Sequence, residues 1–205
     1  MPATRRGLFV CFEGIDQSGK KSQVQALVTS LKDRGITIEQ LSFPDYSTPV
    51  GKEIRLALAG ERRDQPRVRH MLFAANRWER AAEIEDAINS GKLLIVNRYS
   101  ASNYAFGGAR NLPSFWLRNL ERDLPQPDFT ILLDIPPETS LARKSVRRDL
   151  HEKDLKFLSD VRSIYLRLAR SESWMIIDGD RDIDEVHKDV REAVEKLLMK
   201  HLLIR

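Results

Sequence analysis

Leu8-Phe9-Val10-Cys11-Phe12 runs directly into Glu13-Gly14-Ile15-Asp16-Gln17-Ser18-Gly19-Lys20-Lys21-Ser22, and this stretch decides the fold. The apolar run reads as a buried strand. Gln23 to Arg34, with Val24, Leu27, Val28 and Leu31 at helical spacing, reads as a helix stopped by Gly35. Between them Gly14, four residues and then Gly19-Lys20 satisfy the first seven positions of the P-loop pattern G-x-x-x-x-G-K-[ST]. Such a loop wraps backbone N–H groups around a phosphate, and Lys20 brings a point charge to the outer phosphates. The eighth position is the misfit. A hydroxyl that binds Mg²⁺ belongs there, whereas this chain has Lys21, with Ser22 one residue later.

Outward from this loop, strand and helix signals alternate. Ile36–Phe43, Leu93–Val96, Phe129–Ile135 and Trp174–Ile177 read as four further strands. Helical patterns cover Val50–Ala59, one long helix from Asp64 to Gly91, Pro113–Arg122, Pro137–Arg148, Leu155–Ala169 and Asp182–Leu203. Asp182 and Glu185 are spaced as a capping box for the last of these. The alternation predicts a three-layer α/β fold: a five-stranded parallel sheet with helices on both faces, formed by residues 1–205 as a single domain. In open parallel sheets ligands collect beyond the carboxyl ends of the strands.

The 205 residues are 41% apolar and 31% charged, the composition of a soluble globular protein. No apolar run approaches the ~20 residues that span a bilayer, and Met1 to Arg6 lack the apolar core of a signal peptide, so a cytoplasmic protein without membrane contact is expected. The single cysteine, Cys11, falls inside the first strand and reads as a buried thiol. A net charge of +4 suits polyphosphate substrates. Zinc-ligand spacings, aromatic–basic strand motifs and long basic tails are missing from the sequence, which argues against a nucleic-acid partner.

Three strand ends carry unusual residues: Asp16 after the first, Phe43-Pro44-Asp45-Tyr46 after the second, and Asn97-Arg98-Tyr99 with Ser102-Asn103 and Phe106 after the third. Together they point to a second ligand beside the nucleotide. On the long helix Met71, Ala75, Trp78 and Ala82 form one stripe, readable as core or interface. Phe73, Arg77, Ile84 and Ile88 form another. Phe73 alone reads as core, but Arg77 one turn later needs a flat base or an acidic group as partner. Arg143-Lys144-Ser145-Val146-Arg147-Arg148 is either a solvated helix face or a basic lid that screens a transferring phosphoryl group.

With these pieces in order, the chain resembles the thymidylate kinase family. The resemblance rests on Phe12-Glu13-Gly14-Ile15-Asp16, Phe43-Pro44, Leu72-Phe73-Ala74-Ala75-Asn76-Arg77-Trp78-Glu79, Arg98-Tyr99 and Leu124-Pro125-Gln126-Pro127-Asp128. It implies transfer of a phosphoryl group from ATP to dTMP, with Mg²⁺ as cofactor and a homodimer as the assembly. ATP would bind Gly14, Ile15, Asp16, Gln17, Ser18, Gly19, Lys20, Lys21 and Ser22. For dTMP the resemblance implies Phe73 stacking on thymine, Arg77 and Asn103 reading its edge, Phe106 near the sugar, and Phe43 and Tyr46 in the pocket wall. Arg98 would hold the acceptor phosphate, and Asp16 the 3′-hydroxyl or the metal shell. Catalysis would fall to Asp16, Lys20, Arg98 and the arginines Arg143, Arg147 and Arg148 of a lid spanning about residues 137–152. Lys21, Asn97 and Tyr46 depart from the family pattern, Tyr46 standing where many relatives have a phosphate-binding arginine, and the first two leave Asp16, Asn97 and Glu152 to hold the metal through water. Two other readings remain open: a catalytically silent nucleotide binder, and a kinase for another deoxynucleoside monophosphate.

Overall fold

In a computed structural model, residues 6–32, 34–62, 64–143 and 152–203 are described. Five strands, β1 (Leu8–Glu13), β2 (Ile38–Ser42), β3 (Leu93–Asn97), β4 (Phe129–Asp134) and β5 (Met175–Asp178), form one parallel sheet in the order β2-β3-β1-β4-β5. β1 is central and every one of its residues is buried, apolar from Leu8 to Phe12 as a strand covered on both faces requires, with Glu13 at its end. Its alternate side chains divide between the layers. Leu8, Val10 and Phe12 pack with α1 (Lys20–Lys32) and α9 (Ile183–Leu203), through Leu27, Leu31, Val190 and Val194. Phe9 and Cys11 point the other way, toward α4 (Ala81–Asn89), Tyr99 and Leu124. A third cluster joins α5 (Ser100–Gly108) to α8 (Glu152–Ser171) around Ala105, Val161 and Tyr165.

The long helix expected from Asp64 to Gly91 is instead two helices, α3 (Pro66–Trp78) and α4. Arg80 leaves helical geometry at φ −108°, ψ 4°, while its guanidinium reaches back to Asp45 at 2.7 Å and Glu83 at 2.8 Å. The stripe Met71–Trp78 is not core: both named side chains are 43% exposed. α2 (Pro49–Ala59) is capped by Thr48, whose hydroxyl accepts from Gly51 N, and ends at Gly60. α6 (Ser114–Asn119) and α7 (Pro137–Ala142) are short. Asp182 caps α9 by accepting from Asp184 N at 2.9 Å.

Two pairings set the stage for the site. Phe12 of β1 lies in register with Asn97 of β3, and Arg98 N donates to Phe12 O at 2.9 Å. The loops that follow these strands are therefore neighbours. At the other edge of β1, Asp128 N donates to Phe9 O at 2.9 Å while its carboxylate accepts from Phe9 N, which seats the start of β4.

Candidate active site

The loop after β1 closes against β4 only because Gly14 has no side chain. Its φ is +144°, and a Cβ there would lie 2.5 Å from Leu133 O and 2.7 Å from Ser18 Oγ. Lys20 opens α1, and its ammonium lies back across the loop, donating to Gly14 O (3.0 Å), Ile15 O (2.7 Å) and Ser18 Oγ (3.1 Å). Burial, with Arg98 acting in the same direction, holds the Lys20 pKa well below that of an ordinary lysine. Residues 17–23 line a cleft of about 590 Å³, with Asn97, Arg98, Arg143 and Arg181 opposite.

Arg98 stands at the junction of this cleft and a larger one, and it lines both together with Asn97. Its backbone is left-handed, φ +66°, a sparsely populated conformation for a side-chain-bearing residue. The guanidinium is held on several sides: by Asp16 Oδ1 at 2.6 Å, Ser102 Oγ at 3.2 Å, Tyr165 OH at 3.4 Å and the Phe106 ring 5.4 Å below. Burial opposes its charge, but Tyr165, Asp16 and Glu13 outweigh it and hold the Arg98 pKa above its ordinary value. Glu13 is the buried anchor behind this group. It accepts from Tyr99 N (2.7 Å), Ser102 Oγ (2.7 Å) and Tyr165 OH (2.9 Å).

The larger cavity, about 1050 Å³, opens between α3, α5, α8 and the loop after β2. Asp16, Phe43, Tyr46, Phe73, Arg77, Arg98, Asn103 and Phe106, which the sequence places around an acceptor, all line it. Arg77 does have an acidic partner. Glu121, fully buried, accepts from its Nε at 3.0 Å and also from its Nη2. The same Glu121 oxygen accepts from Asn103 Nδ2 at 3.0 Å, and that amide nitrogen also donates to His70 O at 3.1 Å. With Nδ2 so occupied, Asn103 Oδ1 is an acceptor, and His70 Nδ1–H donates a hydrogen bond to it. Burial pushes the His70 pKa down to about 4, so the ring is neutral near pH 7. Gly107 makes room for this cluster: a Cβ there would meet both Leu117 methyls at 2.8 Å and His70 Cε1 at 3.2 Å.

Asn76 organises the wall that carries Tyr46. Its Oδ1 accepts from Asp45 N (2.8 Å), and its Nδ2 donates to Thr48 Oγ1 (2.7 Å) and Glu79 Oε2 (3.1 Å). Glu79 in turn accepts from Val50 N at 3.1 Å. Asn76 and Glu79 thus shape the pocket without facing a ligand.

Of the basic lid, Arg143 lies over the glycine loop, donating to Gln17 O at 3.4 Å and Gly179 O at 3.1 Å. Arg147 and Arg148 lie outside the described residues, as does the side chain of Glu152, which opens α8. Among the described residues the donor set does not fit a resident magnesium site. Lys21 occupies the hydroxyl position, Asn97 offers a neutral amide oxygen, and Asp16 is paired with Arg98. Among the described residues no group of three or more His, Cys, Asp and Glu could hold a metal ion.

A family model described as thymidylate kinase matches residues 12–190, most of the chain. The chain belongs to the thymidylate kinase family. A thymidylate kinase of Dictyostelium discoideum is 34% identical over 197 residues, covering 96% of this chain and 88% of that protein. The human thymidylate kinase is 31% identical over 195 residues, with 94% and 92% covered. Among solved structures, the thymidylate kinase of Candida albicans superposes with a TM-score of 0.78 at 29% identity, covering 96% of this chain and 94% of that one. The parallel sheet and glycine loop are therefore those of a P-loop kinase fold.

Within that thymidylate kinase framework, sequence reasoning missed Glu13, Tyr165, His70 and Glu121. Glu13 carried a signal in hindsight, an acid ending an otherwise apolar strand. Glu121 had none, because Leu120-Glu121-Arg122-Asp123 reads as ordinary surface.

Proposed function

We infer that this chain phosphorylates dTMP to dTDP with ATP, for dTTP synthesis. The observation that carries the reading is the junction at Asn97 and Arg98, which line both clefts. A donor on the glycine loop and an acceptor in the larger cavity would meet at one arginine, as in-line transfer requires. Phe73 would stack on the base, while Arg77 as donor and Asn103 Oδ1 as acceptor would read an adjacent carbonyl and N–H, the pattern of thymine. Arg98 would hold the acceptor phosphate, Phe106 the sugar edge and Asp16 the 3′-hydroxyl, with Phe43 and Tyr46 closing the wall. Lys20 and Arg143, with Arg147 and Arg148 of the lid, would neutralise the transferring group. An ionised phosphate acceptor needs no general base, so no catalytic histidine is required.

Magnesium enters this reading as part of the substrate, the ATP complex. The chain would act as a single domain and as a homodimer in the cytoplasm, with exposed Met71 and Trp78 available to a second copy. No described helix is long and apolar enough to cross a membrane. ADP release with dTMP, dUMP, dCMP, dGMP and AMP tests the assignment. Turnover on dTMP well above dCMP, dGMP and AMP is expected. Preference for a purine or for cytosine would refute the base-reading set.

A further inference from the structure

The cleft proposed for ATP is lined by Lys20, Lys21, Arg98, Arg143 and Arg181, and none of its described lining residues carries a carboxylate. Four of those five cations contact acceptors of the protein itself. Lys20 donates to the loop carbonyls Gly14 O and Ile15 O, and Arg98 is paired with Asp16. Arg143 lies 3.5 Å from Asp180, and Arg181 is paired with Asp189. Lys21 differs: among the described residues it makes no ion pair or hydrogen bond, and its side chain is exposed on the first turn of α1. It stands at the eighth P-loop position, where a hydroxyl would ligate the metal that bridges the outer phosphates. A protonated amine has no lone pair to give a cation and repels one. Across the cleft, the Asn97 amide nitrogen donates to Ser42 Oγ at 3.0 Å, and its buried Oδ1 has no hydrogen-bond partner. That oxygen is neutral and adds no charge to attract a metal.

We propose that Lys21 is the fixed counter-ion of the triphosphate, so that ATP binds this chain without a metal bridging it to the glycine loop. In the usual arrangement the loop hydroxyl and the phosphates share a divalent cation, and removing the metal removes that tie. Here one positive charge is built into the helix that the phosphates face, at an end whose backbone N–H groups already favour anions. Donor affinity then becomes independent of free magnesium. The metal still travels with ATP, but binding does not report it. This deepens the assignment of the glycine-loop cleft as the ATP site and rests on it.

Calorimetric titration of ATP into the full chain, once with excess magnesium and once with EDTA, tests the idea without measuring turnover. The dissociation constants are expected to agree within about threefold for the parent. In Lys21→Thr, metal-free affinity is expected to fall about tenfold or more while affinity for the magnesium complex stays within about threefold. Lys21→Arg, which keeps the charge, is expected to behave as the parent, and Lys21→Met, with neither charge nor hydroxyl, to lose metal-free affinity as the threonine variant does, so a misfolded variant does not end the test. A parent that loses about tenfold affinity on metal removal overturns the proposal and leaves the ATP site standing. So does a Lys21→Thr protein that binds metal-free ATP as the parent does. Failure to bind ATP in either condition overturns both the site assignment and the proposal.

Discussion

Replacing Glu121 with glutamine isolates the charge beneath Arg77, the arginine proposed to read the base. The Arg77 side chain is 4% exposed and Glu121 fully buried, so the guanidinium would lose its acidic partner in a region water does not reach. Breaking such a pair costs about 3–5 kcal/mol, because the remaining ion stays desolvated. Glutamine keeps one acceptor oxygen for Arg77 and Asn103, which places the expected loss near the lower figure. With a urea dependence of about 2 kcal/mol per M for a domain of this size, the unfolding midpoint should fall by roughly 1.5 M. Arg77 would also be free to turn, so the KM for dTMP should rise more than kcat falls. The double variant Arg77→Met with Glu121→Leu removes both charges and should recover most of the stability, to within about 1 kcal/mol of the parent, while dTMP turnover stays low. A Glu121→Gln protein that unfolds within about 0.5 kcal/mol of the parent would refute the reasoning, since a buried guanidinium without its partner cannot be that cheap.

Gly14→Ala sets a Cβ 2.5 Å from Leu133 O at φ +144°, and should lower stability by about 1–3 kcal/mol and weaken ATP binding at least about tenfold. Gly35→Ala, at φ +71° with open space around the Cβ, should cost about 1 kcal/mol and leave ATP affinity intact; titration of both variants separates the two cases. Arg98→Lys cannot reproduce the forked contacts to Asp16 and Ser102, and should lower kcat/KM for dTMP by about 100-fold in steady-state assays. His70 is held at about 4 when folded against an ordinary 6.5, so its contribution is complete above pH 6.5 and is lost as pH falls toward 4. Over that window it should supply up to about 3 kcal/mol of the stability change, and urea melts of His70→Gln should show a correspondingly flatter pH dependence.

The sheet, its parallel sense and the glycine loop were legible because a buried strand beside an amphipathic helix leaves a periodic trace that needs no distant partner. The residues lining the larger cavity were legible because strand ends and one helix stripe carried polar groups that a core would not tolerate. What the sequence hid is long-range. Glu121 meets Arg77 from 44 positions away, and nothing local marks it as buried. His70 sits between Arg69 and Met71 without a motif, yet its ring proton holds Asn103. The break between α3 and α4 was invisible for the same reason. Residues 76–83 keep helical periodicity, and the kink accompanies a contact between Arg80 and a loop after another strand. Asn76 and Glu79 belonged to the block most typical of the family, but their task is to pin that loop, which only the folded chain reveals.

The register that sets Phe12 beside Asn97 has a consequence for how two reactants find each other. The glycine loop and Arg98 hang from adjacent parallel strands, which lie about 4.8 Å apart. In the proposed reaction the donor loop and the acceptor arginine would both take their positions from the backbone of the sheet. Alignment for in-line transfer would then draw on main-chain hydrogen bonds, so pocket walls and the side chains proposed to read the base could be rebuilt around a reaction axis that stays where the sheet puts it.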